Sequence, residues 1–319
     1  MLLISCLTGS VCGSNGDLDP YFYDCVKDCY RKRDELESTF IRRFLSWDDM
    51  SECQYKCMRK ISDNRAQLGR TTFKYFGHWP YYRIYGLQEP ASCVFSFLNA
   101  VPHIYNLVAN RHLFTSEKYY MSGWLVAYGV IAIVAWLCST AFHARKIGIT
   151  IDMDYISALV FLAFGLWISV RRTLAGILNS RPLLVSAFFV VWLSLLCFQV
   201  GHMLLGNVHF GDHMKVSIAI AAVQCTIWVV WCLFRPNPHW KVCLAIQVWF
   251  AIASMLEVFD FPPMFSHFDA HSLWHAATVP LGMLWYYYWI LDAAHYHNLV
   301  AMNDCKGEVR TVAADKKSS

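Results

Sequence analysis

Apolar residues in this chain gather into long runs instead of alternating with polar ones. From about residue 91 seven such runs follow one another, at roughly 91–109, 121–143, 153–170, 183–201, 214–234, 241–258 and 270–291. A helix needs about 20 apolar residues to cross a bilayer, and a spanning backbone must satisfy its own hydrogen bonds. Each run is therefore read as a membrane helix. The third is read as short, stopped by Arg171 and Arg172. Residues 14–90 differ in kind: they are polar, acids and bases nearly balance, and no run reaches membrane length. The expected fold is all-α, a seven-transmembrane helix bundle preceded by a small helical N-terminal domain. No internal repeat is evident.

The chain opens on "MLLISCLTGSVCG". This brief apolar stretch reads as a signal peptide over residues 1–13, with the small residues Val11 and Gly13 in cleavage-type positions. An uncleaved N-terminus is the alternative. The polar region carries "CVKDC" and "CQYKC", that is Cys25, Cys29, Cys53 and Cys57. An i, i+4 pair shares one helix face. Two such helices packed antiparallel permit bridges Cys25–Cys57 and Cys29–Cys53, one of three connectivities open to four cysteines. Disulfides suit a secretory lumen; a zinc site or reduced thiols are the other readings. The chain has no N-x-[ST] glycosylation sequon.

Composition agrees with the pattern. The 319 residues are 56% hydrophobic and 16% charged, with 13 Trp and 21 Phe; soluble domains carry about 25% charge. The mean hydropathy is +0.33. A net charge of +4 is too small to suggest nucleic acid, and no phosphate-cradling glycine loop or nucleophile elbow occurs. Loop charges give an orientation. With the N-terminal domain lumenal, the cytosolic side holds eleven bases (Arg111, Lys118, Arg171, Arg172, Arg181, Arg235, Lys241, Lys306, Arg310, Lys316, Lys317) and the lumenal loops hold three (Arg145, Lys146, Lys215). The C-terminal tail is then cytosolic. It ends "DKKSS", which resembles a dilysine retrieval signal read by coat proteins, or is simply a solvated charged tail.

Chemistry enters through helix ends. The second run closes on "CSTAFHARKIGITIDMDY", which carries Ser139 and His143 at i, i+4 and then Asp152 and Asp154 at the mouth of the third. The seventh begins with Asp269, His271 and His275. Counting crossings puts all of them at one membrane face, lumenal in the orientation above. Ionisable groups in a span are costly and mark function. Three imidazoles fit a zinc site that keeps a place for water, and zinc lowers the pKa of that water to about 7. A carboxylate can take a proton and a hydroxyl can steady an oxyanion. The residues alone leave two readings open, a hydrolytic zinc centre and a structural or ligand-binding cluster. Glu257, an intramembrane acid, and Asp269 and Asp152 are candidates to support the ligands; capping, helix packing or solvation are their plainer roles. His202, His209 and His213 share that face and read as interfacial, with a second metal site as the alternative.

"CSTAFHARKIGITIDMDY" and "DFPPMFSHFDAHSLWHAATVP" resemble the two signature blocks of the seven-helix membrane hydrolases that include alkaline ceramidases and adiponectin receptors. Together with "GDLDPYFYDCVKDC", "DDMSECQYKCM" and "YFGHWPYYRIYGLQEPASCVFSFLN", the match is closest to the Per1-like, post-GPI-attachment phospholipases, over about residues 16–293. The resemblance implies that His143, His271 and His275 bind Zn2+, that Ser139 is the motif serine and that Asp154 is the catalytic acid. It implies a phospholipase A2-type reaction removing the sn-2 acyl chain from the inositol phospholipid of GPI-anchored proteins; the dilysine-like end argues for a Golgi apparatus protein that cycles with the endoplasmic reticulum, and the resemblance is compatible with either compartment. The expected organisation is signal peptide 1–13, lumenal cysteine-containing domain 14–90, hydrolase domain 91–293 and cytosolic tail 294–319. A ceramidase-like amidase and a non-catalytic GPI-protein escort or receptor are the rival functions.

Overall fold

A computed structural model describes residues 14–111, 119–205, 210–234 and 237–318. The expected signal peptide lies outside them. The N-terminal domain is built on α1 (Pro20–Arg31), the short α2 (Phe40–Phe44) and α3 (Asp49–Gln67). Each start follows from its sequence. Asp19 accepts from the Tyr21 N–H ahead of Pro20, and Asp48 accepts from the Ser51 N–H, the usual side-chain substitute for the missing helical partner. Disulfides Cys25–Cys57 and Cys29–Cys53 join α1 to α3. Of the three pairings that spacing allowed, the structure has the antiparallel one.

Residues 70–89 then pass over one end of the bundle through two tight turns. The first closes between Tyr75 and His78, the second between Ile84 and Leu87. Their central residues, Phe76-Gly77 and Tyr85-Gly86, have φ of 49°, 80°, 51° and 77°. Two consecutive positive φ values are the type I′ arrangement, which favours glycine. Gly86 is also required by space, since a Cβ there would lie 2.5 Å from Ile41 Cγ2. Arg83 stacks 3.2 Å over the Trp47 ring and pairs with Glu52 at 2.8 Å, tying the turns to α3.

The long helices are α4 (Pro90–Ala109), α5 (Ser122–Ala144), α6 (Gly148–Thr173), α8 (Pro182–Leu204), α9 (Phe210–Phe234), α10 (Trp240–Phe259) and α11 (Ala270–Ser318), with the single turn α7 (Ala175–Leu178) after α6. Neighbour packing runs α4–α5–α6–α9–α10–α11 and back to α4, a closed ring with α8 outside on α6. Accordingly α8 has no buried residue. Among the described residues six helices, α4, α5, α6, α8, α9 and α10, are long and apolar enough to cross a membrane. The span expected at 270–291 is helical and completes the ring, but its histidines and its Trp-Tyr run make it less apolar.

Two expectations change. The third run is not short: α6 has 26 residues, begins at Gly148 and takes in both Asp152 and Asp154. Thr150 Oγ1 accepts from the Ile147 N–H and starts the helix early. Arg171 and Arg172 lie in its last turn, where cations suit the helix dipole, and so do not stop it. The seventh helix is also longer than the run at 270–291, since α11 continues to Ser318. The side chains of Lys316 and Lys317 are outside the described residues.

The bundle interior has two zones. Toward the end away from residues 70–89 it is a cluster of large rings, among them Trp167, Trp228, Tyr286, Tyr288 and Trp289. The other end is polar, and Ser92, Ser96, Asn99, Ser139, His143 and His275 are all buried there. A buried polar zone is costly unless its groups find partners.

Candidate metal centre

The last two turns of α5 carry Ser139 and His143, and the first turns of α11 carry His271 and His275. Two backbone features set them facing each other. The carbonyls of His143 and Ala144, left open at the end of α5, accept from the N–H groups of Glu89 and Gln88 at 3.0 and 2.9 Å. Asp269 and Ser272 cap the start of α11 reciprocally: Ser272 N–H donates to Asp269 Oδ1 and Asp269 N–H to Ser272 Oγ, each at 2.9 Å. Inside α11, Asn99 Nδ2 donates to the His275 carbonyl at 2.8 Å and locks that turn to α4.

The three imidazoles then converge. His143 Nε2 and His275 Nε2 are 3.0 Å apart, as are His275 Nε2 and His271 Nε2. The three ligand atoms all lie within 4.8 Å of one another. The outer nitrogens of two rings face carboxylates, His143 Nδ1 with Glu89 Oε2 at 2.6 Å and His271 Nδ1 with Glu257 Oε2 at 2.8 Å. A carboxylate holds the proton on Nδ1 and turns the Nε2 lone pair inward. Two lone pairs thus point at a third nitrogen that has at most one proton to give. A cation among the three resolves that conflict. Tetrahedral zinc with bonds of about 2.05 Å would set ligand nitrogens about 3.3 Å apart, close to the spacing found. The donor set fits zinc.

The rest of the constellation surrounds this point. Ser139 Oγ is 3.1 Å from Ser96 Oγ, and Asp154 lies near enough to Ser139 and His271 to interact with both. His143, Ser139 and His275 are buried, whereas His271, Glu257 and Asp154 are half-buried and form the open side. Trp274 stacks on His271 at 5.7 Å between ring centres. Asp152 is exposed; it stands about 200° around the helix from Asp154, so it is not among the groups supporting the ligands. Asp269 serves α11 as its cap and accepts from Tyr81 Oη at 2.7 Å, so it orients a helix and no ring nitrogen. His202 is exposed and His213 stacks on Tyr155, both apart from the centre; His209 lies outside the described residues.

Glu89 was not among the residues singled out from sequence. It is 3% exposed and binds both His143 and Lys146 Nζ, the latter at 2.5 Å. Burial pushes its carboxyl pKa up, but Lys146 and His143 outweigh that and hold it well below the usual carboxylate range. His78, on the rim, is pushed down to about 3 by Lys146 first and by burial second. It is a neutral ring 3.1 Å from Lys146 Nζ.

This geometry defines a class, a helical multi-pass membrane protein with a buried three-histidine centre at one end of its bundle. The chain belongs to the Per1-like family, whose profile matches residues 39–293. It is 30% identical over 300 residues to the human "GPI-specific phospholipase A2-like PGAP3", covering 90% of this chain and 91% of that one. The mouse protein of that name is 31% identical over 298 residues, with 90% and 91% covered. The Drosophila melanogaster "Post-GPI attachment to proteins factor 3" is 32% identical over 304 residues, again with 90% and 91% covered. No solved structure matches.

Proposed function

We propose that the protein remodels GPI anchors by hydrolysing the sn-2 acyl ester of their inositol phospholipid, as a zinc-dependent intramembrane phospholipase A2. The observation that carries the reading is the convergence of three imidazole Nε2 atoms backed by Glu89 and Glu257. The names of the relatives support the substrate class. Zinc held by His143, His271 and His275 would supply an acidified water and polarise the ester carbonyl.

The chain's own groups do the rest. Glu89 and Glu257 fix the tautomers of two ligands. Asp154 takes the proton of the attacking water and returns it to the departing glycerol oxygen, so that a fatty acid and a lyso anchor leave. Ser139, hydrogen-bonded to Ser96, offers a hydroxyl for Asp154 or for the ester oxyanion. The open side formed by His271, Glu257 and Asp154 admits the lipid from the bilayer. In this reading that face and the disulfide domain are lumenal, the leaflet of GPI anchors. The C-terminus is cytosolic, its dilysine is read by coat proteins, and the protein works in the Golgi with return to the endoplasmic reticulum.

The test is lipid analysis of GPI anchors from cells lacking the protein, rescued by the wild type or by His143→Ala. Only the wild type should give anchors that have lost the unsaturated sn-2 chain. Rescue by His143→Ala with no zinc bound would favour a non-catalytic escort. Ceramide cleavage with unchanged anchors would favour an amidase.

A further inference from the structure

The end of the bundle away from the histidines holds two adjacent arginines with opposite surroundings. Arg172 is neutralised: its Nε and Nη2 donate to Asp292 at 2.8 and 2.5 Å. Arg171 is just as deeply placed, at 7% exposure, yet meets only neutral groups. Its Nη1 donates to Asn179 Oδ1 at 2.7 Å, its guanidinium lies 4.7 Å from the Tyr120 ring centre, and its Nε has no hydrogen bond. Among the described residues no carboxylate pairs with it. A buried cation without an anion is a costly arrangement.

Arg171 borders an open cleft of about 450 Å³, lined also by Tyr120, Asn179, Pro182, Ser186 and Tyr296. The cleft thus presents a guanidinium that no carboxylate neutralises, a feature that favours an oxyanion, phosphate above all. Hydroxyls of Ser186 and Tyr296 add donors. Next in sequence to the lining residues Leu178 and Pro182 are exposed apolar side chains, Ile177 at 55% and Leu183 at 84%. A free ion has no use for such neighbours, whereas acyl chains do.

We propose that this cleft binds the phosphate of an anionic membrane lipid, in the leaflet opposite the histidine centre. Arg171 and Asp154 are 17 positions apart on α6, about 26 Å along the axis, so the site is separate from the reacting lipid. It does not rest on the proposed hydrolysis.

The probes are dioleoyl phosphatidic acid, dioleoylglycerol, which lacks the phosphate, and inorganic phosphate. Each is added to the delipidated full-length protein and read by native mass spectrometry. The wild type should retain one phosphatidic acid per chain under conditions that strip dioleoylglycerol. Arg171→Gln should weaken retention by about tenfold or more, the scale of one lost charged hydrogen-bond donor. Ser186→Trp, which fills the cleft and keeps the arginine, should do the same, so a poorly folding Arg171→Gln does not decide the matter. Lys241→Gln, one charge fewer elsewhere, should leave retention unchanged. Equal retention of phosphatidic acid by wild type, Arg171→Gln and Ser186→Trp would overturn the site. Millimolar inorganic phosphate displacing the lipid and stabilising the protein equally would overturn a lipid as occupant. Glu117 lies outside the described residues; binding by Glu117→Gln but not by wild type would show that the counter-ion is internal, and would also overturn the proposal.

Discussion

Glu89 shows how one residue reaches the centre without touching its middle. Its carboxylate bonds His143 Nδ1 on one oxygen and Lys146 on the other, so the ring cannot turn and its Nε2 stays a lone pair. Partners of this kind are worth 10–100-fold in metal affinity. Glu89→Gln should therefore lower zinc affinity by roughly 10–100-fold, measured by competition with a chelator, while the helical content stays that of the wild type. Glu257→Gln should do the same through His271, which is more exposed, and so by less. If zinc affinity were unchanged in both, tautomer control would not be what these acids do. His143, His271, His275, Ser139, Asp154 and Glu257 were legible in sequence because each sits at helical spacing in an apolar run, where a polar residue stands out. Glu89 was not, because it lies in a polar segment among other charges and only the pairing of its backbone N–H with the His143 carbonyl puts it under the ring.

At the scale of elements, spacing in sequence was most informative where the helix repeat does the selecting. Cys25 and Cys29 on α1, and Cys53 and Cys57 on α3, show one face each, and two nested bridges follow. Chain entropy gives the first bridge a contribution of roughly 3–4 kcal/mol, for separations of 24 and 32 residues. The second contributes less, since the loop it closes is already constrained. Replacing all four cysteines by serine should free α1 from α3, and limited proteolysis should then cut within residues 14–67 while the bundle stays intact. Loss of only one bridge should leave the segment protected. Wild-type protease resistance in the four-serine variant would show that Phe22 and Tyr75, packed at 4.9 Å between ring centres, suffice without the bridges. Helix ends were the least legible feature. The two arginines at the end of α6 read as a stop because charge is scarce in membranes, yet one is absorbed by Asp292 and the other lines a cleft.

Across the molecule, α11 is held at both ends by different means. Near its start, His271 and His275 face α5. Near residue 292 it is held by a charge: Asp292, 1% exposed, accepts from Arg172 on α6, from Tyr119 Oη at 2.5 Å and from Asn237 Nδ2 at 3.3 Å. Between the two holds lie Pro280, which breaks the helical hydrogen-bond ladder, and Gly282, where a Cβ would come 3.0 Å from Pro102 on α4. The lower hold was not legible, because Arg172 and Asp292 are 120 residues apart and each reads as an ordinary end-of-helix charge. Asp292→Asn keeps an acceptor for Tyr119 but leaves Arg172 buried and charged, at a cost of about 3–5 kcal/mol. Adding Arg172→Met removes that stranded charge. The double variant should therefore recover most of the loss in thermal unfolding of the detergent-solubilised protein, even though it lacks both members of the ion pair. A double variant no more stable than Asp292→Asn would mean that the hold is made by hydrogen bonds alone. Because α11 carries two of the three histidines, Asp292→Asn should also release zinc at a lower temperature than wild type, and the double variant should restore that temperature in step with its stability.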